Sequence, residues 1–258
     1  KLGAPNEAPP CVDEETAPRH TDKDLFKQPP PCEEECPICM LPRPLAEEHM
    51  SYFSCCGKTI CIGCIDAVKA EDRLCLCPFC RTPTHTSDEE LIERTKKRAD
   101  SDDATAIYQL GCYYYNGGMG LRQNQRKAMK LYLRAGELGC AEAYCNVGYA
   151  YRNGEGVERD EKKAKYYWEL AATGGSVTAR FNLGNLEGRA GNMSRAVKHW
   201  MISAAAGYDK SLMGIRECFQ NGHATKDDFE KALRAHKEAK DEVKSDQRDA
   251  AVAARVQS

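Results

Sequence analysis

The sequences CPIC at residues 36–39 and CPFCR at residues 77–81 begin and end the stretch that decides the fold. Residues 36–80 hold nine of the fifteen cysteines of this 258-residue chain. Most of these cysteines form Cys-x-x-Cys pairs, a spacing typical of metal ligands in a reducing compartment rather than of disulfides. The pattern therefore predicts a small metal-binding module and a cytoplasmic or nuclear location.

The cysteine pairs supply eight sulfur ligands, enough for two tetrahedral zinc ions with four cysteines each. The predicted ligands are Cys36, Cys39, Cys55, Cys56, Cys61, Cys64, Cys77 and Cys80. So short a segment has too little apolar surface to fold alone, and each structural zinc supplies on the order of 10 kcal/mol. Because four thiolates leave no open coordination position, we expect two structural Zn²⁺ ions with no catalytic role.

The order of the pairs resembles the RING finger of ubiquitin ligases, through Cys-Gly-x-x-Ile-Cys-x-x-Cys at residues 56–64 and the final Cys-Pro-Phe-Cys-Arg. The resemblance implies that the first and third pairs bind one zinc, and the second and fourth pairs bind the other. Lys58 stands where an ordinary RING has a histidine ligand, and an ammonium group has no lone pair for a metal. Cys55 then completes the second site, as in eight-cysteine RING variants, with Cys75 as the reserve ligand and His49 as a more distant one.

The RING resemblance also implies a docking groove for a ubiquitin-conjugating enzyme. Its matching positions are Ile38 inside the first pair, Ile65 or Val68 on a short helix predicted at residues 65–70, and Pro78 inside the last pair. Arg81 matches the arginine with which many active RINGs hydrogen-bond both the enzyme and ubiquitin, a task that suits a planar guanidinium. The helix carries only aliphatic residues where a tryptophan is usual, which predicts weaker docking.

Three flanking segments have distinct compositions. Residues 1–31 contain seven of the twelve prolines and almost no large apolar residues, which predicts a disordered tail. Residues 86–101 predict a connector helix that begins with a capping box of Ser87 and Glu90. Residues 244–258 are charged and alanine-rich, which predicts a helical tail that extends the last repeat or frays.

Residues 102–243 repeat a helix-turn-helix pattern about four times. The Leu-Gly landmark recurs after 37, 36 and 32 residues, as Leu110-Gly111, Val147-Gly148, Leu183-Gly184 and Ile215-Arg216. A second helix follows in each copy, with candidate caps at Asn124, Asp160 and Asp228 and a ring-bearing residue at Tyr132, Trp168, Trp200 and His236. Small residues at fixed positions let helices approach closely, and we expect the aromatic residues to fill the space between copies.

This unit resembles the Sel-1-like repeat, a relative of the tetratricopeptide repeat, with the fourth copy degenerate. The resemblance implies a solenoid that binds a protein substrate or adaptor, with no chemistry of its own. Tyr113, Tyr149 and Asn182 are candidate contacts on its concave side, which the first helices form. His199 lies on an amphipathic pattern, where a lone histidine is more often structural than functional.

Charge and hydropathy exclude other classes of protein. The net charge is −2, from 37 basic and 39 acidic residues, which provides no basic field for nucleic acid. The sequence has no apolar run of about 18 residues, so we expect no membrane span. Whether a targeting segment precedes Lys1 stays open.

The sequence therefore predicts a multi-domain chain with a small zinc-stabilised cross-brace RING module at residues 32–85 and an all-α helical-repeat solenoid. The function that these resemblances imply is that of a RING-type E3 ubiquitin ligase. In that mechanism the module docks a charged ubiquitin-conjugating enzyme without a covalent intermediate, and the repeats recruit the substrate. Two alternatives stay open: a zinc-binding scaffold or adaptor whose RING is inactive, and a zinc-dependent nucleic-acid binder.

Overall fold

A computed structural model of the chain describes residues 21–27, 35–45, 49–71 and 76–256. These residues form one two-stranded sheet and twelve helices. The sheet belongs to the cysteine-rich module, and eight of the helices form the predicted all-helical solenoid. The reserve ligand Cys75 lies outside the described residues.

The cysteine-rich module is built on an antiparallel hairpin of β1 (Met50–Phe53) and β2 (Lys58–Cys61). Gly57 closes the turn in a left-handed conformation, with φ of 71°, which glycine adopts without steric cost. Helix α2 (Ile62–Glu71) follows β2 directly, so it begins three residues before the helix predicted at residues 65–70. The module has a small core of Ile60, Ile65 and buried cysteines.

The connector contains α3 (Asp88–Ala99). The Ser87 hydroxyl accepts a hydrogen bond from the Glu90 amide at 3.3 Å, as the predicted cap requires. The other half of the predicted capping box, a hydrogen bond from the Ser87 amide to the Glu90 carboxylate, is wrong. The Glu90 carboxylate instead accepts a hydrogen bond from the Thr86 amide at 2.8 Å and forms an ion pair with Arg94. The Glu90 side chain therefore caps the amide of Thr86, one residue before the expected Ser87.

The solenoid consists of four antiparallel helix pairs, one pair for each predicted copy. The pairs are α4 (Ala104–Asn116) with α5 (Gln125–Glu137), α6 (Ala141–Asn153) with α7 (Glu161–Thr173), α8 (Val177–Arg189) with α9 (Met193–Ala205), and α10 (Asp209–Gln220) with α11 (Lys226–Glu242). Successive helices also pack on each other between copies. The buried apolar residues form two clusters along the stack, one that extends through the first two copies to Leu183 and one in the third and fourth copies.

Two of the three predicted second-helix caps are present. Asn124 accepts a hydrogen bond from the Lys127 amide at 2.9 Å, and Asp160 accepts from the amides two and three residues ahead at 3.0 Å. The cap predicted at Asp228 is wrong, because Thr225 is the N-cap of α11. Asp228 is instead the third residue of that helix and accepts from the Thr225 amide at 3.0 Å, which completes a capping box.

In the first three copies the aromatic residue packs against the glycine of its own copy, whereas the fourth copy has Arg216 in place of that glycine. A Cβ atom on Gly148 would lie 2.5 Å from Cδ1 of Trp168, whose indole Nε1 donates to the Cys145 carbonyl at 3.2 Å. These contacts of Trp168 lie within its own copy, and the expectation that its ring fills the space between copies stays a prediction. Trp200 does both, since it packs beside the glycine of its own copy and also approaches Gly214 of the next.

The predicted disorder of residues 1–31 is wrong for residues 21–27. Helix α1 (Asp22–Leu25) begins at a Thr21 capping box and lies on the solenoid, where Leu25 is 2% exposed. Composition predicts disorder because the tail as a whole lacks apolar residues, but Leu25 and Phe26 find a surface more than 150 residues away in the chain. The remainder of the predicted tail lies outside the described residues.

The C-terminal tail neither extends the last repeat nor frays. The chain leaves α11 at Glu242 and forms α12 (Asp246–Val256), which packs on α2 of the cysteine-rich module. The contact is close, because a Cβ on Gly63 of α2 would lie 2.8 Å from the backbone nitrogen of Arg248. On its other side the module contacts the start of the solenoid, where the Tyr52 hydroxyl donates to Asp103 at 2.9 Å.

Candidate metal centre and interaction surfaces

The first cysteine cluster joins the first and third pairs of the sequence. It consists of Cys36, Cys39, Cys61 and Cys64, whose sulfur atoms all lie within 4.8 Å of one another. The sulfur atoms of Cys39 and Cys61 are 3.9 Å apart, and three of the four residues are buried. The first pair lies in a loop and the third pair spans the junction of β2 with α2, so the hairpin brings them together.

The second cluster joins the second and fourth pairs. It consists of Cys55, Cys56, Cys77 and Cys80, again with all sulfur atoms within 4.8 Å. The sulfur atoms of Cys56 and Cys77 are 3.8 Å apart, and those of Cys55 and Cys80 are 3.5 Å apart. The adjacent cysteines of the second pair lie in the hairpin turn, whose curvature turns both side chains toward the same centre.

The two Cys-Pro-x-Cys segments have the same local geometry. In each, the amide after the second cysteine donates to the carbonyl of the first, from Met40 to Cys36 at 2.9 Å and from Arg81 to Cys77 at 3.0 Å. Met40 and Arg81 adopt left-handed conformations, with φ of 56° and 61°, which is uncommon for residues other than glycine. Each segment is therefore a tight loop that presents two sulfur atoms on one side.

The residues present fit a zinc ion in each cluster. Four thiolates are a donor set that zinc prefers, and a Zn–S distance of about 2.3 Å sets the S–S edges of a tetrahedron near 3.8 Å. The separations of 3.5 to 3.9 Å between neighbouring sulfur atoms match that edge. The reserve candidate His49 belongs to neither cluster among the described residues, and Lys58 extends over the Phe79 ring, 5.8 Å from its centroid.

The pKa values of the cysteine thiols shift in opposite directions at Cys36 and Cys55. Burial raises the pKa of Cys36, but backbone hydrogen bonds from Cys39 and Cys61 outweigh it and lower the pKa to about 7. Burial, hydrogen bonding with Cys80 and the charge of Cys77 instead raise the pKa of Cys55 strongly. Four neighbouring sulfurs cannot all ionise without a cation between them, so the arrangement favours a bound dication.

Arg248 of α12 lies beside the first cluster and is 5% exposed. Its guanidinium lies 3.3 Å from the Cys39 sulfur and donates to the carbonyls of Pro42 and Val243, each at 2.8 Å. The arginine therefore joins the C-terminal helix to the loop that carries the first pair. Sequence reasoning missed it, because Arg248 is 209 residues from Cys39 and no local pattern marks it.

The five predicted docking residues differ in their exposure to solvent. Ile38 is 36% exposed, Val68 and Pro78 are half-buried, and Arg81 is exposed at the end of the second tight loop. Ile65 is only 5% exposed and lies in the core of the module, so it is removed from the docking set. The helix position that stays available to a partner is Val68.

Two exposed apolar residues beside the cysteine pairs were not predicted. Met40 is 64% exposed and Phe79 is 45% exposed, and each directly follows or lies within a Cys-Pro-x-Cys segment. The signal in the sequence was that both are large apolar residues directly beside a clustered cysteine, in a module whose core is small. Together with Ile38 they add exposed apolar surface to the module.

The candidate contacts on the first helices of the solenoid are partly available. Tyr149 is 48% exposed, whereas Tyr113 and Asn182 are half-buried. The Asn182 amide lies 3.8 Å from the Cys145 sulfur. The first helices therefore present few free side chains at these positions, and Tyr149 is the most accessible of the three.

Comparison with known proteins identifies the helical region. The family model of the Sel1 repeat matches residues 104–140, 141–176 and 211–234. The solenoid is built of Sel1 repeats. The matched segments correspond to copies one, two and four, and the shortened third copy, α8 with α9, completes the stack between them.

Solved Sel1 repeat proteins have a similar fold. A Sel1 repeat protein from Oxalobacter formigenes superposes with a TM-score of 0.54 and 23% identity, covering 62% of this chain and 67% of that one. The protective antigen c5321 of uropathogenic Escherichia coli, described as displaying an SLR fold, gives a TM-score of 0.50 and 28% identity, covering 59% of this chain and 33% of that one. These likenesses show the fold of the solenoid.

A curated relative carries a name connected with ubiquitin. The chain is 28% identical over 113 residues to the "ERAD-associated E3 ubiquitin-protein ligase component HRD3B" of Arabidopsis thaliana. The match covers 43% of this chain and 18% of that protein, so the chain spans a small part of its relative. Sel1 repeats imply interaction with other proteins. Among the described residues, no helix is both long and apolar enough to cross a membrane.

Proposed function

We propose that residues 32–85 are a RING-type module with two zinc ions, which docks a ubiquitin-conjugating enzyme while the Sel1 repeats recruit the protein to be modified. The observation that carries the proposal is the interleaving of the two cysteine clusters. The first pair joins the third and the second joins the fourth, as in the cross-brace that the RING resemblance implies.

The zinc ions have a structural task in this proposal. Cys36, Cys39, Cys61 and Cys64 would hold one ion, and Cys55, Cys56, Cys77 and Cys80 would hold the other. Each ion, when bound, supplies folding free energy and fixes the two tight loops relative to α2. The four-cysteine donor sets leave no position for water or substrate, so the chemistry of transfer occurs outside this chain.

The transfer reaction joins a substrate lysine to ubiquitin. The lysine amine attacks the thioester carbonyl of the charged conjugating enzyme, an isopeptide bond forms, the carbon–sulfur bond breaks, and the enzyme's cysteine leaves as a thiol. In this scheme Ile38, Val68 and Pro78 contact the enzyme, and Arg81 donates to both the enzyme and ubiquitin. The chain contributes by positioning the reactants, which is worth several kcal/mol when the geometry is right.

Two observations beyond the clusters support the proposal. Ile38 and Phe79 are exposed apolar side chains, as a docking surface requires. The Arabidopsis relative is named as a component of an E3 ubiquitin-protein ligase, which is consistent with a role for Sel1 repeats beside ubiquitin transfer.

Autoubiquitination with a panel of conjugating enzymes tests the proposal. We expect the wild type to form polyubiquitin chains with at least one enzyme, and Ile38→Ala and Arg81→Ala to reduce them at least tenfold, since each removes a contact made with the charged enzyme. Met213→Ala is the matched control, because Met213 is 69% exposed on α10 of the solenoid. Polyubiquitin formation that neither substitution reduces, or no polyubiquitin formation with any conjugating enzyme, would refute the ligase mechanism.

The second candidate function is an adaptor whose cysteine-rich module only docks proteins. It is favoured by α2, which has no aromatic residue, has Ile65 in the core and is braced by α12. The same assay separates the two functions when it is combined with native mass spectrometry. A chain that binds two zinc ions and still forms no ubiquitin chains would be the adaptor.

A further inference from the structure

Residues 21–27 lie on a seat formed by α7, α8 and α9 of the second and third repeats, which we name the α1 seat. The residues of the seat that contact the segment include Arg180 of α8 and Arg195, Lys198 and His199 of α9. The segment reads Thr-Asp-Lys-Asp-Leu-Phe-Lys, and only Leu25 is fully buried. A four-residue helix does not persist alone in water, so α1 exists because the seat holds it.

The seat recognises an acidic side chain at one end. Both carboxylate oxygens of Asp22 lie 2.7 Å from one terminal nitrogen of Arg195. Arg195 is held from behind by Glu187, which is 3.4 Å from its Nε and also accepts from Lys165 at 3.0 Å. Glu187 is 3% exposed, and its contact with Arg195 does not involve residues 21–27.

The seat recognises an aromatic side chain at the other end. The Phe26 ring lies 4.7 Å from the ring of His199 between centroids. The charged groups of Arg195 and Lys198 lie 5.2 and 5.4 Å from the Phe26 centroid, within the range of cation–π attraction. His199 is 0% exposed, and neither of its ring nitrogens has a hydrogen-bond partner among the described residues, so the ring serves as a packing surface for Phe26, to which it is tilted by 45°.

Arg180 recognises the backbone between these two ends. It is 2% exposed and donates to the carbonyl of Leu25 and, at 3.4 Å, to the carbonyl of Lys27. No ion pair to Arg180 is found in the part of the chain that the structure describes, and its Nε has no hydrogen-bond partner there. A buried guanidinium without a carboxylate is costly, and the carbonyls at the end of a helical turn satisfy it.

We propose that the α1 seat is a peptide-binding site for a helical turn of the form Asp-x-x-Leu-Phe in a partner protein, and that residues 21–27 are its internal competitor. The seat binds one acidic side chain, one buried leucine, one aromatic ring and two backbone carbonyl groups. The internal segment is suited to exchange, because it buries a single side chain fully and its ion pair is exposed at Asp22. This site deepens the recruitment half of the proposed function, but peptide binding involves no ubiquitin, so either proposal can fail alone.

A fluorescent peptide of residues 20–28 and the full chain test the proposal. The opened chain carries Leu25→Ala and Phe26→Ala, which empties the seat, and we expect it to bind the peptide saturably. In the wild type the internal segment is tethered to the seat, at an effective concentration of about 1 mM. If the Kd of the peptide is about 10 µM, this competition makes the wild type bind the peptide about a hundredfold more weakly than the opened chain. A peptide with Lys23→Ala is the matched control, because Lys23 is exposed and binding should be unchanged.

Charge exchange tests the recognition chemistry. Arg195→Glu in the opened chain should weaken the peptide at least tenfold, and an Asp22→Arg peptide should recover part of the loss. If the opened chain lacks the helical far-ultraviolet spectrum of the wild type, the full-chain variant Asp22→Arg replaces it, because that change affects only an exposed pair. Circular dichroism decides which variant is used.

Three results would overturn the proposal. The first is no saturable binding to the opened chain, and the second is binding that ignores Arg195→Glu. The third is equal affinity of wild type and opened chain, which would show that residues 21–27 do not compete. A wild-type chain that forms dimers which the opened chain does not form would identify a second copy, rather than a partner protein, as the occupant.

Discussion

Arg248→Ala is expected to release α12 from the cysteine-rich module. The guanidinium of Arg248 contacts the module at the carbonyl of Pro42, at 2.8 Å, and at the sulfur of Cys39, at 3.3 Å. A hydrogen bond to a charged group contributes about 1.5 kcal/mol or more, so the two together stabilise the docked helix by about 3 kcal/mol. The bond to the Val243 carbonyl is not counted, because it joins α12 to the end of α11 and does not cross to the module.

Hydrogen exchange measures this effect locally, because a chain with several parts has no single free energy of unfolding. A loss of about 3 kcal/mol corresponds to amide exchange in α12 that is faster by about two orders of magnitude. Arg255→Ala is the control on the same helix. Arg255 is 48% exposed and lies 3.6 Å from Asp66, and an exposed pair of this kind contributes about 0–1 kcal/mol.

The comparison of the two variants decides the result. Equal effects of Arg248→Ala and Arg255→Ala, or less than a tenfold change for Arg248→Ala, would refute the view that the buried arginine holds α12. Arg248→Lys keeps the charge but has no planar fork to serve two carbonyls, so we expect it to recover only part of the protection. The solenoid helices should exchange as in the wild type in all three variants.

Three further predictions concern the metal, the repeats and pH. Native mass spectrometry should find two zinc ions in the wild type and one in Cys55→Ser, because Cys55 completes the second cluster. Gly148→Ala should lower the free energy of unfolding of the solenoid by about 1–3 kcal/mol in urea, since its Cβ would overlap Trp168. Burial and then the charge of Arg180 lower the pKa of His199 to about 3. The unfolded chain therefore binds more protons below about pH 6.5, and the free energy of unfolding should fall by about 1.4 kcal/mol per pH unit from there toward pH 3.

Each of these predictions has a control and a contrary outcome. His49→Ala and Cys75→Ser should keep both zinc ions, and a wild type with a single zinc would contradict the eight-cysteine assignment. Gly118→Ala should be nearly neutral, because nothing lies within 4 Å of the added Cβ, and equal losses at both glycines would show that Trp168 is not the cause. His199→Leu should reduce the pH slope of urea unfolding between pH 6.5 and 4, and an unchanged slope would assign it to other groups.

Much of the candidate site was readable from local sequence. Cysteines separated by two residues can reach one metal whatever surrounds them, so the eight clustered cysteines and their two groups follow from spacing and from the RING resemblance. Helix pairs repeat because small residues and aromatic residues recur at a fixed period, as Gly148 and Trp168 illustrate. Errors occurred where one side chain had two possible partners, as with Glu90, whose carboxylate accepts from Thr86 instead of completing a box.

The sequence alone therefore determined the two kinds of region, the order of the copies and the cysteines of the two clusters, because each depends on residues that are near neighbours in the chain. Only the tertiary structure decided that α1 lies on the repeats, that α12 returns to the cysteine-rich module and that Ile65 is in the core. The contacts of Arg180 with Leu25 and of Arg248 with Cys39 join residues 155 and 209 positions apart. Such contacts depend on two surfaces meeting in the folded chain, and no local pattern records that meeting.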